Sequence, residues 1–357
     1  MANWESLMSL SNSDFILAHK RESRGEFFIN LFEKCNLSCS FCWQDHDDNH
    51  GMDSIKERAY DVIEVLNRDR DKYRSYDVNI MGGELFFDEV DDALFEDYFQ
   101  FTMTIQKFAK TMGFDLYFNW VTNFVFTKQN RLKNLLERLY GNNVKTGLTT
   151  SYDPRGRFNN QSYNLFLDNL DFFKDDLRSI GIVMTRPNIL AIMKGDSRLE
   201  TLYSKYDLYF DYYSPESNFK SMLPLESELL TFFKYMFSSY PQSQPFRGWL
   251  EFRENKMTCR SSQVLLPNGS AGQCQSLLSR ELFQHFENNI QEKTNQMMED
   301  SFLKKRDCLT CEYYKKCGFG CFLQSSFKPH QDLSDCLYFL TFKHIDSIQR
   351  DYESISV

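Results

Sequence analysis

Three cysteines, Cys35, Cys39 and Cys42, lie at the spacing C-x3-C-x2-C and could together bind a metal centre. Thiolates are ligands for zinc and for iron-sulfur clusters, and a closed site of either kind normally takes four protein ligands. Three thiolates on one short segment therefore predict an inorganic centre with one position open to another ligand.

The same spacing would also place three small apolar side chains on one buried helix face. Asn36, Ser38 and Ser40 disfavour that alternative, because their side chains compete for backbone hydrogen bonds inside a helix. The apolar run at residues 28–32 predicts a strand instead. We expect the cysteines to lie on a loop at the carboxyl end of that strand.

The other seven cysteines form a second group near the end of the chain. They are Cys259, Cys274, Cys308, Cys311, Cys317, Cys321 and Cys336. Their pattern is C-x9-G-x4-C, a gap, C-x2-C-x5-C-x3-C, a second gap and a final C, with Gly269 in a predicted turn. A C-x2-C pair also suits a small zinc site, but zinc sites would use four or eight cysteines.

The first cysteine pattern resembles the signature of the radical S-adenosylmethionine (AdoMet) enzymes, C-x3-C-x-φ-C, with Phe41 at the aromatic position φ. The resemblance implies that Cys35, Cys39 and Cys42 bind a [4Fe-4S] cluster whose open iron chelates AdoMet. It also places Phe41 among the cofactor-binding residues.

The second pattern is similar to the SPASM domain that follows the barrel in many of these enzymes. This resemblance implies two auxiliary [4Fe-4S] clusters and so three clusters in all. One would be held by Cys308, Cys311, Cys317 and Cys336, and the other by Cys259, Cys274 and Cys321. The latter set has one ligand fewer. The fourth ligand could be water, a carboxylate such as Glu251 or Glu254, or the substrate.

A glycine-rich turn, Gly82-Gly83-Glu84, directly follows the second predicted strand. Glycines let the backbone approach a ligand closely, and a carboxylate can accept hydrogen bonds from an ammonium group. In the family that the sequence resembles, this tripeptide binds the methionyl ammonium of AdoMet. The family often has proline next, whereas Leu85 follows here.

Polar residues also follow the later predicted strands. The resemblance implies that Ser151 contacts the ribose or carboxylate of AdoMet, and Arg155 or Arg157 could meet the carboxylate. Residues 122–123 and 185–186 occupy similar positions. Each of these residues could instead belong to an ordinary turn at a strand end.

The elements that position these residues alternate between strand and helix. Strands are predicted near residues 28–32, 76–81, 114–122, 144–151, 181–185 and 207–213, with helical segments between them, including one near 161–179. Six such units are too few for a closed eight-unit barrel. We therefore predict an α/β fold: a partial (β/α)6 parallel barrel with its site at the carboxyl ends of the strands.

The predicted domains are a lead-in at 1–24, the radical AdoMet barrel at 25–240, and a small cysteine-rich SPASM domain at 241–357. The last domain would carry the auxiliary iron-sulfur clusters and end in an amphipathic helix.

Composition and net charge disfavour some classes of function and location. The 357 residues are 42% hydrophobic, which suffices for a large core, and the net charge of −9 disfavours duplex nucleic acid as a partner. No window reaches about 18 uninterrupted apolar residues and no secretion signal is recognisable, so we expect a cytoplasmic protein with no membrane partner. Ten cysteines then favour metal binding over disulfides.

The resemblance implies an oxidoreductase that cleaves AdoMet reductively and takes a hydrogen atom from its substrate. A ribosomally synthesised peptide is the favoured substrate, and crosslinking, thioether formation or oxidation the favoured modification. A flavodoxin or ferredoxin would donate the electron. Two alternatives are a dehydrogenase of a small molecule and a non-catalytic iron-sulfur or zinc protein. Asp211 and Tyr213, at the end of the sixth predicted strand, are candidate catalytic groups.

Overall fold

The structure is a computed structural model that describes residues 24–42, 44–71, 73–213, 220–252, 262–272, 310–313, 316–317 and 335–355. Nearly all of the predicted lead-in lies outside these residues. Four of the predicted metal ligands also lie outside them: Cys259, Cys274, Cys308 and Cys321.

Strands and helices alternate along the first two thirds of the described chain. The strands are β1 (Arg24–Asn30), β2 (Ser75–Met81), β3 (Asp115–Thr122), β4 (Thr146–Ser151), β5 (Leu177–Met184), β6 (Leu208–Tyr212), β7 (Ser262–Leu265) and β8 (Ala271–Gly272). The α-helices are α1 (Ile55–Arg68), α2 (Asp92–Met112), α3 (Gln129–Gly141), α4 (Asn160–Phe172), α5 (Arg186–Met193), α6 (Ser197–Tyr203), α7 (Glu226–Ser239), α8 (Phe246–Phe252) and α9 (Leu337–Ile355). Two short 3-10 helices cover Met52–Ser54 and Lys220–Met222.

The strand order is β6-β5-β4-β3-β2-β1-β7-β8. Strands β1 to β5 pair in parallel with their sequence neighbours, so the loops that follow β1 to β4 all leave from one edge. Strand β7 extends the sheet in parallel beside β1. It then turns back through Gly269, whose φ is 83°, to pair antiparallel with β8. The predicted turn at Gly269 is therefore present.

The two faces of the central strands differ in polarity. Buried apolar residues at alternate positions, such as Val78 and Trp120, form the core on the face that meets helix α2. The opposite face carries a polar ladder. Asn119 Nδ2 donates to Asn79 Oδ1 at 2.8 Å, and Thr149 Oγ1 donates to Asn119 Oδ1 at 2.8 Å.

The chain divides into two compact units. One contains residues 22–181 and 261–285, and the other contains residues 1–21, 182–260 and 286–357. Strand β5 crosses from the first unit into the second. In the second unit, ring contacts join Phe210 of β6 to Phe232 and Phe246, and Tyr338 of α9 to Trp249.

Most elements lie where the sequence pattern predicts them; one prediction was wrong, and two strands were missed. The helix predicted at 161–179 ends at Phe172, because the segment from Leu177 onward pairs with Leu148 of β4 instead. Strands β7 and β8 were not predicted. Within the described residues, no helix is both long and apolar enough to cross a membrane.

Candidate functional site

The first three cysteines lie on the loop that follows β1, as predicted, and all three are half-buried. The N–H of Cys42 donates to the carbonyl of Cys39 at 3.0 Å, which makes a tight turn between two of the thiols. The N–H of Leu37 lies 3.5 Å from Cys35 Sγ. The N–H of Cys35 is held by the carbonyl of His46 at 2.9 Å.

The glycine turn after β2 holds this cysteine loop through backbone hydrogen bonds. The N–H of Gly83 donates to the carbonyl of Phe32 at 2.8 Å, and that of Glu84 to the carbonyl of Lys34 at 2.9 Å. A Cβ added at Gly83 would lie 2.1 Å from the Lys34 oxygen. Glycine is therefore required here because the cysteine loop itself passes so close.

The Glu84 side chain has no exposed surface and accepts three hydrogen bonds. Its donors are the N–H of Phe86 at 3.0 Å, Thr122 Oγ1 at 2.8 Å and the N–H of Asn123. Burial raises its pKa to about 7 although these donors act in the opposite direction. The carboxylate thus ties the turn after β2 to the end of β3.

The turn after β3 reaches the cysteine loop through two asparagines. Asn123 Nδ2 donates to Asn36 Oδ1 at 2.8 Å, and Asn36 Nδ2 donates to the carbonyl of Val125. Asn123 is buried, with 6% of its surface exposed. The two loops are therefore joined directly next to Cys35.

The loop after β4 holds the other end of the cysteine loop. The N–H of Ser40 donates to the carbonyl of Gly156 at 3.1 Å, and a Cβ at Gly156 would lie 2.2 Å from Ser40 Oγ. Arg157 lies over the ring of Phe41, 5.5 Å from its centroid. Its Nε donates to Asp153 Oδ2 at 2.6 Å.

At this end of the loop, Arg157 supplies a positive charge next to Asp153 and Cys39. Burial acts to lower the pKa of its guanidinium, but the neighbouring Asp153 carboxylate and Cys39 thiol raise that pKa above its usual value. The Arg157 side chain is 12% exposed and the Asp153 side chain is fully buried. The two form a buried ion pair next to the cysteine loop.

Burial raises the pKa of all three thiols, that of Cys35 to about 12. Glu84 adds to the shift at Cys35, whereas Arg157 opposes it at Cys39. A cation is therefore needed to hold these groups as thiolates. Among the described residues, no three potential ligands converge on one metal ion. In a [4Fe-4S] cluster each thiolate binds its own iron, so the three free thiols on one loop match that group in ligand type and number, with one iron left for another ligand.

The site residues that the sequence predicts within residues 22–181 lie at one edge of the sheet. Gly83 and Glu84 donate backbone hydrogen bonds to the loop, a Cβ at Gly82 would lie 2.9 Å from the Phe32 oxygen, and Arg157 lies over the ring of Phe41. Ser151 is the last residue of β4 and is half-buried at the same edge. Sequence reasoning missed the contacts of Asn36, Ser40 and Gly156, although asparagine and glycine directly after strands were a usable signal.

The described C-terminal cysteines are Cys311, Cys317 and Cys336, three of the four predicted for one auxiliary cluster. Burial raises the pKa of Cys311, and Cys336 is close enough to raise it further. Tyr313 anchors this segment on α9: its ring lies 5.6 Å from that of Phe342, and its hydroxyl donates to Asp346 Oδ2 at 2.8 Å.

Asp211 and Tyr213, the candidate catalytic residues, lie in the second unit at the end of β6. The neighbours of Asp211 along the strand, Phe210 and Tyr212, contact rings of α7, so Asp211 points to the opposite face. It keeps accessible surface, yet the surrounding protein desolvates it and raises its pKa to about 6. Tyr213 is buried.

No protein-family model matches the sequence, and no curated protein matches it. Among solved structures, the chain is similar to native anSMEcpe with bound AdoMet, with a TM-score of 0.60 and 16% sequence identity over 90% of this chain and 95% of that chain. It is also similar to SuiB from Streptococcus suis, with a TM-score of 0.49 and 12% identity over 89% of this chain and 79% of that chain. The first likeness confirms the predicted fold class, an α/β fold built on a mostly parallel sheet.

Proposed function

We propose that the chain is a radical AdoMet enzyme that takes a hydrogen atom from a ribosomally synthesised peptide in order to modify it. The observation that carries the proposal is the cysteine loop: three half-buried thiols fixed by the loops after β2, β3 and β4 at one edge of the sheet. The chemistry that the bound cofactors would supply is electron transfer to the AdoMet sulfonium, which yields methionine and a 5'-deoxyadenosyl radical.

In this proposal, Cys35, Cys39 and Cys42 hold the catalytic [4Fe-4S] cluster. Arg157 places a positive charge beside Cys39 and so favours its thiolate. Likeness to a structure that contains AdoMet supports AdoMet as the cofactor.

Gly82, Gly83 and Glu84 would bind the methionyl ammonium, and the donors on the Glu84 carboxylate would keep the turn in shape for that contact. Among the described residues, Asp153 accepts from Arg157 Nε, and neither Nη atom of Arg157 has a hydrogen-bonding partner. Those two atoms suit the AdoMet carboxylate, and Ser151, the last residue of β4, would contact the ribose or carboxylate.

The second cysteine group would hold two auxiliary clusters and pass on the electron that remains after substrate oxidation. The proximity of Cys311 and Cys336 supports a shared centre. Asp211 would be the acid or base near the substrate, since its raised pKa suits proton transfer close to neutral pH. A flavodoxin or ferredoxin would supply electrons.

The test is AdoMet cleavage by anaerobically reconstituted, reduced protein. We expect 5'-deoxyadenosine from the wild type and none from Cys35→Ala, Cys39→Ala or Cys42→Ala. The matched control is Ser38→Ala, an exposed residue of the same loop, which should retain cleavage. Cleavage by the cysteine variants would refute the cluster assignment.

The substrate is tested separately by incubation with candidate peptides and mass spectrometry. A mass shift that depends on AdoMet would support a peptide substrate. Conversion of a small alcohol or amino sugar, with every peptide left unchanged, would favour the small-molecule alternative. A protein that binds iron but never cleaves AdoMet would be non-catalytic.

A further inference from the structure

The turn after β3 contains a residue with a strained backbone conformation. Phe124 has a φ of 59°, in the left-handed region that a bulky residue rarely adopts. Such a conformation is unfavourable and persists only where the surroundings impose it. Here Asn169 Nδ2 donates to the carbonyls of Phe124 and Phe126 at 2.9 and 2.8 Å, and the Phe124 ring stacks on Phe173.

The strained turn fixes the orientation of the preceding residue, Asn123. Its Oδ1 accepts the N–H of Val125 at 2.8 Å, so its amide nitrogen must face the cysteine loop. One amide hydrogen is used by Asn36 Oδ1 at 2.8 Å. The same nitrogen lies 3.8 Å from Cys35 Sγ, which is within reach of a hydrogen bond to sulfur.

Simple bracing of the two loops would need only the contact between Asn123 and Asn36. The Asn123 side chain has a second N–H, it is largely shielded from water, and the Cys35 sulfur is its neighbour. A buried N–H without an acceptor is unfavourable, and a thiolate is a much better acceptor than a thiol.

We propose that Asn123 donates an amide hydrogen bond to the sulfur of Cys35 when this residue ligates the cluster, and so raises the reduction potential of that cluster. Hydrogen bonds to cluster sulfurs are among the factors that set such potentials, because they stabilise the more electron-rich state. Asn123 is thus a positioning residue that acts through Cys35. The inference rests on the proposed cluster at Cys35, Cys39 and Cys42.

The test is an anaerobic redox titration of the holoenzyme, followed by the reduced-cluster EPR signal that changes when AdoMet is added. In Asn123→Ala we expect cluster reduction to be about tenfold less favourable, which is a potential lowered by ~59 mV for one electron. Asn36→Ala is the matched control. It removes the bracing contact but leaves the N–H donor, so its potential should stay near that of the wild type.

Equal shifts in the two variants, or no shift in Asn123→Ala, would overturn the inference and leave Asn123 as a loop brace. If Asn123→Ala does not retain its cluster, the wild type labelled with 15N in its asparagine side chains provides the answer by pulsed EPR. A nitrogen coupling to the AdoMet-sensitive cluster is expected, and its absence would overturn the inference. Failure of the proposed function would look different, because Cys35→Ala would then lose no iron.

Discussion

The cysteine loop after β1 is joined by hydrogen bonds to three other loops, whereas the contacts described for the C-terminal cysteine segment include the packing of Tyr313 on helix α9 and its hydrogen bond to Asp346. The first loop accepts hydrogen bonds from Gly83 and Asn123 and donates one to the carbonyl of Gly156, each on a different loop. The C-terminal segment depends on Tyr313, which packs on Phe339 and Phe342 of α9.

This difference suggests a division of labour between the two cysteine groups. A loop braced by a sheet can hold its shape before a cofactor binds, which suits a centre that must position a reactive ligand. For the C-terminal segment, we expect the metal centre itself to contribute more of the order. Variants that remove each form of support test this difference.

The largest expected effect comes from breaking the buried ion pair next to the cysteine loop. In Arg157→Leu, the Asp153 carboxylate would stay buried without its cation, and we expect a loss of about 3–5 kcal/mol in the free energy of unfolding. The matched control is Arg186→Leu, which breaks an exposed pair with Glu228 and should cost less than about 1 kcal/mol. Anaerobic urea unfolding measures both. Equal losses would show that the buried pair does not brace the loop.

A somewhat smaller loss is expected from Gly83→Ala. The added Cβ would overlap the carbonyls of Glu33 and Lys34, so the cysteine loop must shift, at a cost of about 3 kcal/mol. We expect the variant to bind about four fewer iron atoms per chain, because only the loop cluster is affected. Gly141→Ala is the control, since a Cβ there meets no atom within 4 Å. Full iron content in Gly83→Ala would contradict the bracing role of the turn.

The sequence could predict those parts of the site that depend on local spacing. Cys35, Cys39 and Cys42 identify their loop by themselves, and the alternation of apolar residues in β2 and β3 places Glu84 and Asn123 at strand ends. The confirmed fold class followed from the same alternation of strands and helices.

The braces between loops could not be predicted, because they join distant positions. Asn123 and Asn36 are 87 residues apart, and neither stands out within its own segment. Strand β5 was partly taken for a helix because its pairing with β4, a tertiary contact, decides its conformation. The roles of Ser151 and Arg157 toward AdoMet, and the domain boundaries, stay predictions.

Tyr313→Phe tests the anchor of the C-terminal cysteines. It removes the hydroxyl that donates to Asp346 but keeps the ring stacked on Phe342, so we expect a loss of about 1–2 kcal/mol. Iron content should stay unchanged in this variant. In Tyr313→Ala, which also removes the ring, auxiliary iron should fall while AdoMet cleavage persists. Iron lost from the first loop instead would contradict separate support of the two cysteine groups.

The smallest expected effect concerns Asp211, whose environment contrasts with that of the barrel-site carboxylates. Glu84 and Asp153 accept hydrogen bonds from side-chain donors that oppose the effect of burial, whereas desolvation is the cause of the shift at Asp211, whose pKa rises from 3.8 to about 6. The folded state therefore keeps this proton to a higher pH than the unfolded state. The group's contribution to stability is present below about pH 4 and is lost as the pH rises to about 6.

Asp211→Asn removes this titration, so the variant should gain stability relative to the wild type between pH 5 and pH 7. Because Asp211 keeps exposed surface, solvent screening should hold the gain to about 1 kcal/mol or less. Anaerobic urea unfolding at pH 5, 6 and 7 measures it, with Asp171→Asn, an exposed carboxylate on α4, as the control for charge alone. If both variants show the same change in the free energy of unfolding with pH, Asp211 is an ordinary surface carboxylate. That result would contradict its proposed role as the acid or base near the substrate.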